Sequence, residues 1–186
     1  LPQALDAACD IVSDAAPGKQ LRLLSLRRSS PEGGADEPRL KSFHYMNNIL
    51  AKRELQAAGA GPGVEGLFLD RLHRVCEGTV SNVFWLSDGV LHTPSTETGA
   101  LPGITRAYIL EMAAEAGIPV REGSYGFHEM MRADEAFLTN SVQEIVPVDA
   151  LADEQGFIVR EFRGAGETTR AWMRQYRSRA ERGERG

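Results

Sequence analysis

Apolar positions along this chain change their period several times, and each change marks an element. Leu5, Ala8, Cys9 and Val12 recur at helical spacing until Pro17 and Gly18 interrupt them, which predicts a helix over residues 5–15. "LRLLSL" (21–26) predicts a short strand, and "RRSSPEGGADEP" (27–38), polar and rich in Gly, Pro and Ser, a loop or linker. A helix is expected from near residue 44 to about residue 58, stopped by "GAGPG" (59–63). Beyond it come short runs rich in β-branched and aromatic residues: "EGLFLD" (65–70), "RLHRVCEGTV" (71–80), "NVFWLS" (82–87) and "VLHTP" (90–94). Asp88-Gly89 between the last two is a hairpin turn signal, so the expectation here is an antiparallel sheet and not a βαβ series.

Helical spacing returns after "ETGALPGITR", where Ile109, Leu110, Met112 and Ala113 predict a helix over 107–116 that stops at Gly117 and Pro119. "PVREGSYG" is then a strand, "FHEMMRADEA" a short helix, and "AFLTNS", "VQEIVPVDAL" and "GFIVREF" three more strands, before a final helix starting near residue 168. Antiparallel strands with helices packed on them define an α+β fold, with no internal repeat and no low-complexity segment.

Composition narrows the function classes. A length of 186 residues suits one domain with a proper core, or the larger part of a two-domain protein. A net charge of −5 argues against a general nucleic-acid binder. Six arginines lie between Arg170 and Arg185, but Trp172 and Tyr176 among them are spaced like the packed face of a terminal helix with a solvated far side. No apolar run approaches the roughly 20 residues of a membrane span. Cys9 and Cys76 form neither a disulfide framework nor a zinc pattern, so a reducing cytoplasm is the expected setting. His44, His73, His92 and His128 are dispersed, and no metal is assigned. Trp85 and Trp172 are expected to be packing residues.

The candidate chemistry begins at Lys41, an amine set just ahead of Phe43, Tyr45, Met46, Ile49 and Leu50. It is either an ordinary solvated lysine beside a buried helix or the reactive amine of a site. "ALPGITR" puts Gly103, Ile104 and Thr105 at a helix start, where the first N–H groups lack internal acceptors and can meet an anion, although a Pro-Gly turn is ordinarily only a turn. Thr139, Asn140 and Ser141 make a small polar loop that can hold a phosphate or satisfy its own backbone. Glu77, in a strand-like run, needs a partner if buried, either an arginine or a protonated ring nitrogen. A lysine, a carboxylate and two phosphate-sized loops together match the needs of pyridoxal 5'-phosphate: an amine for its carbonyl, an anion for its pyridine nitrogen, and donors for its phosphate. Glycine-rich nucleotide-binding motifs are absent.

Four stretches, "LKSFHYMNNILAKREL", "EGTVSNVFWLSDGVLHTP", "LPGITRAYILEMAAEAGIPV" and "DEAFLTNSVQEIVPV", resemble in order and spacing the motif blocks of the class IV aminotransferase, fold type IV pyridoxal-phosphate family. The likeness runs over roughly residues 20 to 160. Within that family the blocks are most similar to the aminodeoxychorismate lyase branch. Branched-chain aminotransferases tend to carry a glycine pair after the lysine and a glutamate where Ser81 stands, and this chain has neither. The resemblance implies that Lys41 bonds to the cofactor and shuttles the proton, Glu77 pairs with the pyridine nitrogen, Tyr45 lies near the phenolic oxygen, and Leu101 packs on the ring. It further implies that the Gly103 turn with the amides of Ile104 and Thr105, together with Ser141, cradles the phosphate, and that Asn140 meets a substrate carboxylate. Apolar groups around Lys41 would favour its neutral, nucleophilic form.

The implied fold is the large C-terminal domain of such an enzyme, its antiparallel strands forming a pseudo-barrel with packed helices. The family carries a smaller domain ahead of its lysine, whereas only 40 residues precede Lys41 and the first residue is Leu1. The expected division is therefore an interdomain segment and first strand over 1–40, and the cofactor-binding domain over 41–186, with the small domain missing. The implied reaction takes a small-molecule amine, 4-amino-4-deoxychorismate, to 4-aminobenzoate and pyruvate in folate biosynthesis. Amino transfer from branched-chain or D-amino acids, or a truncated domain without competent chemistry, are the alternatives. A homodimer, with neither nucleic acid nor membrane as partner, is expected.

Overall fold

The computed structural model describes residues 18–28, 41–162 and 164–183. The helix expected over 5–15, Cys9 and most of the 27–38 loop lie outside the described residues. The described chain runs β1 (Lys19–Arg28), α1 (Lys41–Ala57), β2 (Val64–Asp70), β3 (Val75–Gly78), β4 (Asn82–Ser87), β5 (Val90–Pro94), a 3-10 turn (Thr96–Thr98), α2 (Ile104–Glu115), β6 (Val120–Gly123), α3 (Phe127–Met130), β7 (Glu135–Asn140), β8 (Glu144–Ala152), β9 (Ile158–Glu161) and α4 (Glu167–Glu181).

The strands join in one nine-stranded sheet, ordered β3-β2-β1-β8-β7-β4-β5-β6 with β9 added on β8, which curls into a half-barrel. The β4–β5 hairpin forms at the expected turn, where Asp88 (φ 50°) and Gly89 (φ 74°) both take the left-handed conformation that a two-residue connection requires. The pairings within residues 64–94 are antiparallel as expected, but the whole sheet is mixed, with three parallel pairings among the described residues, of which β1–β8 is one and two enclose a helix. β1 pairs parallel with β2 across α1, and β5 pairs parallel with β6 across α2. Parallel partners need a crossover of a dozen or more residues, and each of these two helices supplies one. β1 lies between β2 and β8, so the segment ahead of Lys41 contributes an interior strand to the body that follows it.

Alternation explains the apolar strands. On β4, Val83 and Trp85 enter one cluster with Leu21, Leu67, Met130 and Val148, while Phe84 and Leu86 face the other way. There they meet Ile109 and Met112 of α2 and Trp172 and Tyr176 of α4. Both tryptophans are packing residues: Trp85 stacks on His92 and meets Tyr125 edge-on, and Trp172 meets Phe137 edge-on.

α1 departs from the expected buried apolar face. Met46, Ile49 and Leu50 point outward, at 62%, 46% and 41% exposure, and the helix instead packs through Ala51 and Leu55 on Leu24, Phe68 and Cys76. The small Ala51 lets the helix approach the sheet closely, which the larger residues would prevent. No helix among the described residues is long and apolar enough to cross a membrane.

Candidate active site

Glu77 ends up 4% exposed on β3, a strand buried along its whole length. Its Oε2 accepts from the Leu101 amide at 2.8 Å and from Asn82 Nδ2 at 3.3 Å. Asn82 Nδ2 also donates to the Leu101 carbonyl at 2.9 Å, closing a ring of three residues from three parts of the chain. Next to Glu77, the Cys76 thiol donates to the Thr98 carbonyl at 2.9 Å, a second tie between β3 and the segment leading to Leu101. Donors aimed at Glu77 Oε2 stabilise the charged form of the carboxylate and fix its direction.

Two residues beyond Leu101, Gly103 caps α2 in extended conformation and makes no side-chain hydrogen bond to the first amides. A side chain at Gly103 would collide with Asn82 Oδ1, so only glycine lets the helix start this close to the ring. Arg106, 5% exposed, holds that first turn in place: its Nη2 donates to the Pro94 carbonyl at 3.2 Å and to Glu122 Oε2 at 2.5 Å. Thr105 is buried, whereas Ile104 is 76% exposed and its side chain stands clear of the surface. The helix begins three residues before the expected 107, which places the Ile104 and Thr105 amides in its first turn.

Opposite Asn82, in register across β4 and β7, stands Thr139. Side chains of directly paired residues share a face, so Thr139 lies on the side of the sheet that carries Asn82. Its Oγ1 is buried without a hydrogen-bond partner among the described residues. An orphaned buried hydroxyl costs free energy unless a ligand oxygen meets it, and an unsatisfied donor of this kind suits a phosphate.

A second cluster lies at the turn after β7. Asn140 Nδ2 donates to Ser81 Oγ at 3.1 Å, and Asn140 Oδ1 accepts from the amides of Val142 at 2.9 Å and Gln143 at 2.7 Å. Ser141, on the same turn, is exposed. Ser81 and Asn82 are adjacent, so the β3–β4 turn joins this cluster to the Glu77 ring.

The structure thus brings together Glu77, Leu101 and Gly103, with Ile104 and Thr105 following, and sets Asn140 and Ser141 on the neighbouring turn. Lys41 is the first residue of α1 and Tyr45 lies in its first turns; their side chains lie outside the described residues. Asn82 is the addition, and Thr139, read from the sequence as one of a polar trio, gains a specific place beside it. Asn82 carries no strong local signal, although an asparagine opening a strand as apolar as "NVFWLS" is out of place by β propensity and marks a polar task.

The fold is an α+β half-barrel that sets a buried carboxylate beside the start of a helix. The sequence profile of the amino-transferase class IV family matches residues 10–151, and the chain belongs to that family, whose members are pyridoxal-phosphate-dependent lyases and aminotransferases. Aminodeoxychorismate lyase of Bacillus subtilis (strain 168) is 47% identical over 129 residues, covering 69% of this chain and 42% of that protein. A putative branched-chain-amino-acid aminotransferase of Methanocaldococcus jannaschii is 41% identical over 111 residues, covering 60% of this chain and 38% of the relative. Among solved structures, the branched-chain amino acid aminotransferase from Escherichia coli aligns with TM-score 0.71 and 29% identity, over 87% of this chain and 52% of that one. The chain therefore spans about half the length, or less, of the proteins it matches.

Proposed function

We propose that this chain is the cofactor-holding part of a lyase that converts 4-amino-4-deoxychorismate to 4-aminobenzoate and pyruvate. The observation that carries the lyase reading is the 47% identity to aminodeoxychorismate lyase, against 41% for the branched-chain aminotransferase relative. The polar pair Asn140–Ser81 supports it, since a substrate bearing carboxylates needs hydrogen-bond donors where a branched aliphatic side chain needs an apolar wall.

The described residues fit pyridoxal 5'-phosphate. Glu77, oriented by Leu101 and Asn82, would hold the proton on the pyridine nitrogen, and Leu101 would pack on the ring. The amides of Ile104 and Thr105 behind Gly103, the Thr139 hydroxyl and Ser141 would take the phosphate. When bound, the cofactor supplies an electron sink that lets a proton leave the carbon bearing the substrate's amino group. Lys41 would have two tasks: its amine would hold the cofactor, and it would take that proton from the substrate. Tyr45, on the same helix, would donate to the cofactor's phenolic oxygen. Loss of the enolpyruvyl group leaves an aromatic product, whose formation supplies the driving force. We further propose a homodimer in a cytoplasmic setting.

Amino transfer is the second reading, favoured by the structural likeness to branched-chain aminotransferases; Lys41, Glu77 and the phosphate cradle serve both reactions equally. Incubating the protein with pyridoxal phosphate, reducing with borohydride and mapping the label tests the site, with Lys41 as the expected position. Supplying 4-amino-4-deoxychorismate then tests the reaction: 4-aminobenzoate is expected, and amino transfer to 2-oxoglutarate without that product overturns the lyase reading.

A further inference from the structure

Lys19, at the start of β1, has one partner in the β7–β8 turn, Gln143, and a second on β2, Glu65, which itself reaches the β3–β4 turn. Its Nζ donates to Glu65 Oε2 at 2.7 Å and to Gln143 Oε1 at 2.7 Å, and its side chain is 16% exposed against 3% for Glu65. The other oxygen of Glu65 accepts from the Val80 amide at 3.3 Å, inside the β3–β4 turn. It also lies where a side chain at Gly78 would stand, so glycine there is what admits the carboxylate. Gln143 belongs to the β7–β8 turn, where its amide is bound to Asn140 Oδ1 and its side-chain oxygen lies 3.4 Å from Asn140 Nδ2. One ammonium thus links Val80, through Glu65, to Asn140, through Gln143. The space it spans is the one across which Asn140 meets Ser81.

We infer that Lys19 is a positioning residue for the substrate wall: with Glu65 it forms a strut that sets the separation of the β3–β4 and β7–β8 turns and so aims Asn140 and Ser81 at the substrate's carboxylates. This rests on the reading of Asn140 as a substrate-binding residue. The strut acts on the two turns, Ser141 included, while the Glu77–Asn82–Leu101 ring and the start of α2 are anchored by other contacts. A buried pair broken on one side is strongly destabilising, whereas replacing both charges is tolerated, so the informative variants are the neutral pair Lys19→Met with Glu65→Gln, and Lys19→Arg.

Amide hydrogen exchange on the holoprotein reads the strut directly. In the neutral pair the Val80 and Gln143 amides should exchange faster together, by about tenfold, while the Leu101 amide stays within about twofold of wild type. At saturating pyridoxal phosphate, KM for 4-amino-4-deoxychorismate should rise about tenfold in the neutral pair with kcat unchanged, and Lys19→Arg should stay close to wild type in both readouts. Unchanged exchange at Val80 and Gln143, a change at one turn alone, or a fall in kcat in place of the rise in KM overturns the inference. Coupled exchange in a protein that makes neither 4-aminobenzoate nor a transaminated product overturns the proposed function and leaves the strut standing.

Discussion

Asn82 holds Glu77 and the Leu101 carbonyl with the same nitrogen, at 3.3 and 2.9 Å, while the Leu101 amide returns a bond of 2.8 Å to Glu77. The three residues constrain one another, so a change in any of them is felt by the carboxylate. Asn82→Ala should lower stability by about 1–3 kcal/mol, since it takes a donor away from buried acceptors. Denaturant unfolding measures that cost, and a pyridoxal phosphate titration should show weaker binding, because Glu77 loses one of the contacts that orient it.

Gly103 and Asn82 make a paired test. Gly103→Ala places a methyl group against Asn82 Oδ1 and should weaken cofactor binding by pushing the start of α2 away from the ring. Adding Asn82→Ala removes the obstacle, so the double variant should lose less than the sum of the two single losses. A double-mutant cycle on cofactor affinity measures the coupling, and strict additivity would sink the steric account.

Thr139→Val should have opposite effects with and without ligand. The buried hydroxyl has no partner among the described residues, so its removal should raise the stability of the cofactor-free protein by roughly 1 kcal/mol. Affinity for inorganic phosphate and for pyridoxal phosphate should fall. Thermal unfolding with and without phosphate separates the two effects, and a variant destabilised in both states excludes an anion contact at this hydroxyl.

His92 gives the fold a pH dependence. Burial, with Arg121 adding to it and Glu129 opposing, holds its pKa below the ordinary 6.5, and its ring nitrogen lies 3.2 Å from the Tyr125 hydroxyl. The folded protein therefore binds a proton at His92 less readily than the unfolded chain does. Stability should rise with pH across the window between the depressed folded value and 6.5, with the penalty complete below that window and gone above it. Urea unfolding between about pH 5 and 8 should show this slope, and His92→Gln should flatten it.

The parts of the fold that local pattern announces are those whose partners are near in sequence. The alternation of Val83, Phe84, Trp85 and Leu86 and the Asp88-Gly89 turn sufficed to place β4 and β5 as a hairpin. The parallel pairings were hidden, because nothing within β1 or β6 states which distant strand will lie beside it. The exposure of Met46, Ile49 and Leu50 was hidden for a related reason: helical spacing says that a stripe exists, while the tight fit of Ala51 on the sheet decides which stripe is buried. In the candidate site, Glu77 and Gly103 stood out by residue type. Asn82 did not, and Thr139 stood out only as one of a polar trio, since what pairs the two is a cross-strand register that exists only once β4 and β7 have paired.

β8 accepts β7 along its first half, at Glu144 to Pro147, and β1 and β9 along its second, at Val148 to Ala152. During synthesis β1 emerges long before β8, and in that interval it has β2 as a neighbour on one flank and nothing to pair with on the other. An interior strand of the finished sheet is thus a bare hydrogen-bonding edge in the growing chain, with Leu21 still lacking Val148 and Leu151, and it is open to pairing with another nascent chain. The polypeptide is most vulnerable to aggregation before β8 has left the ribosome, and a chaperone or a slow codon stretch upstream of β8 would act on its yield without touching a residue of the site.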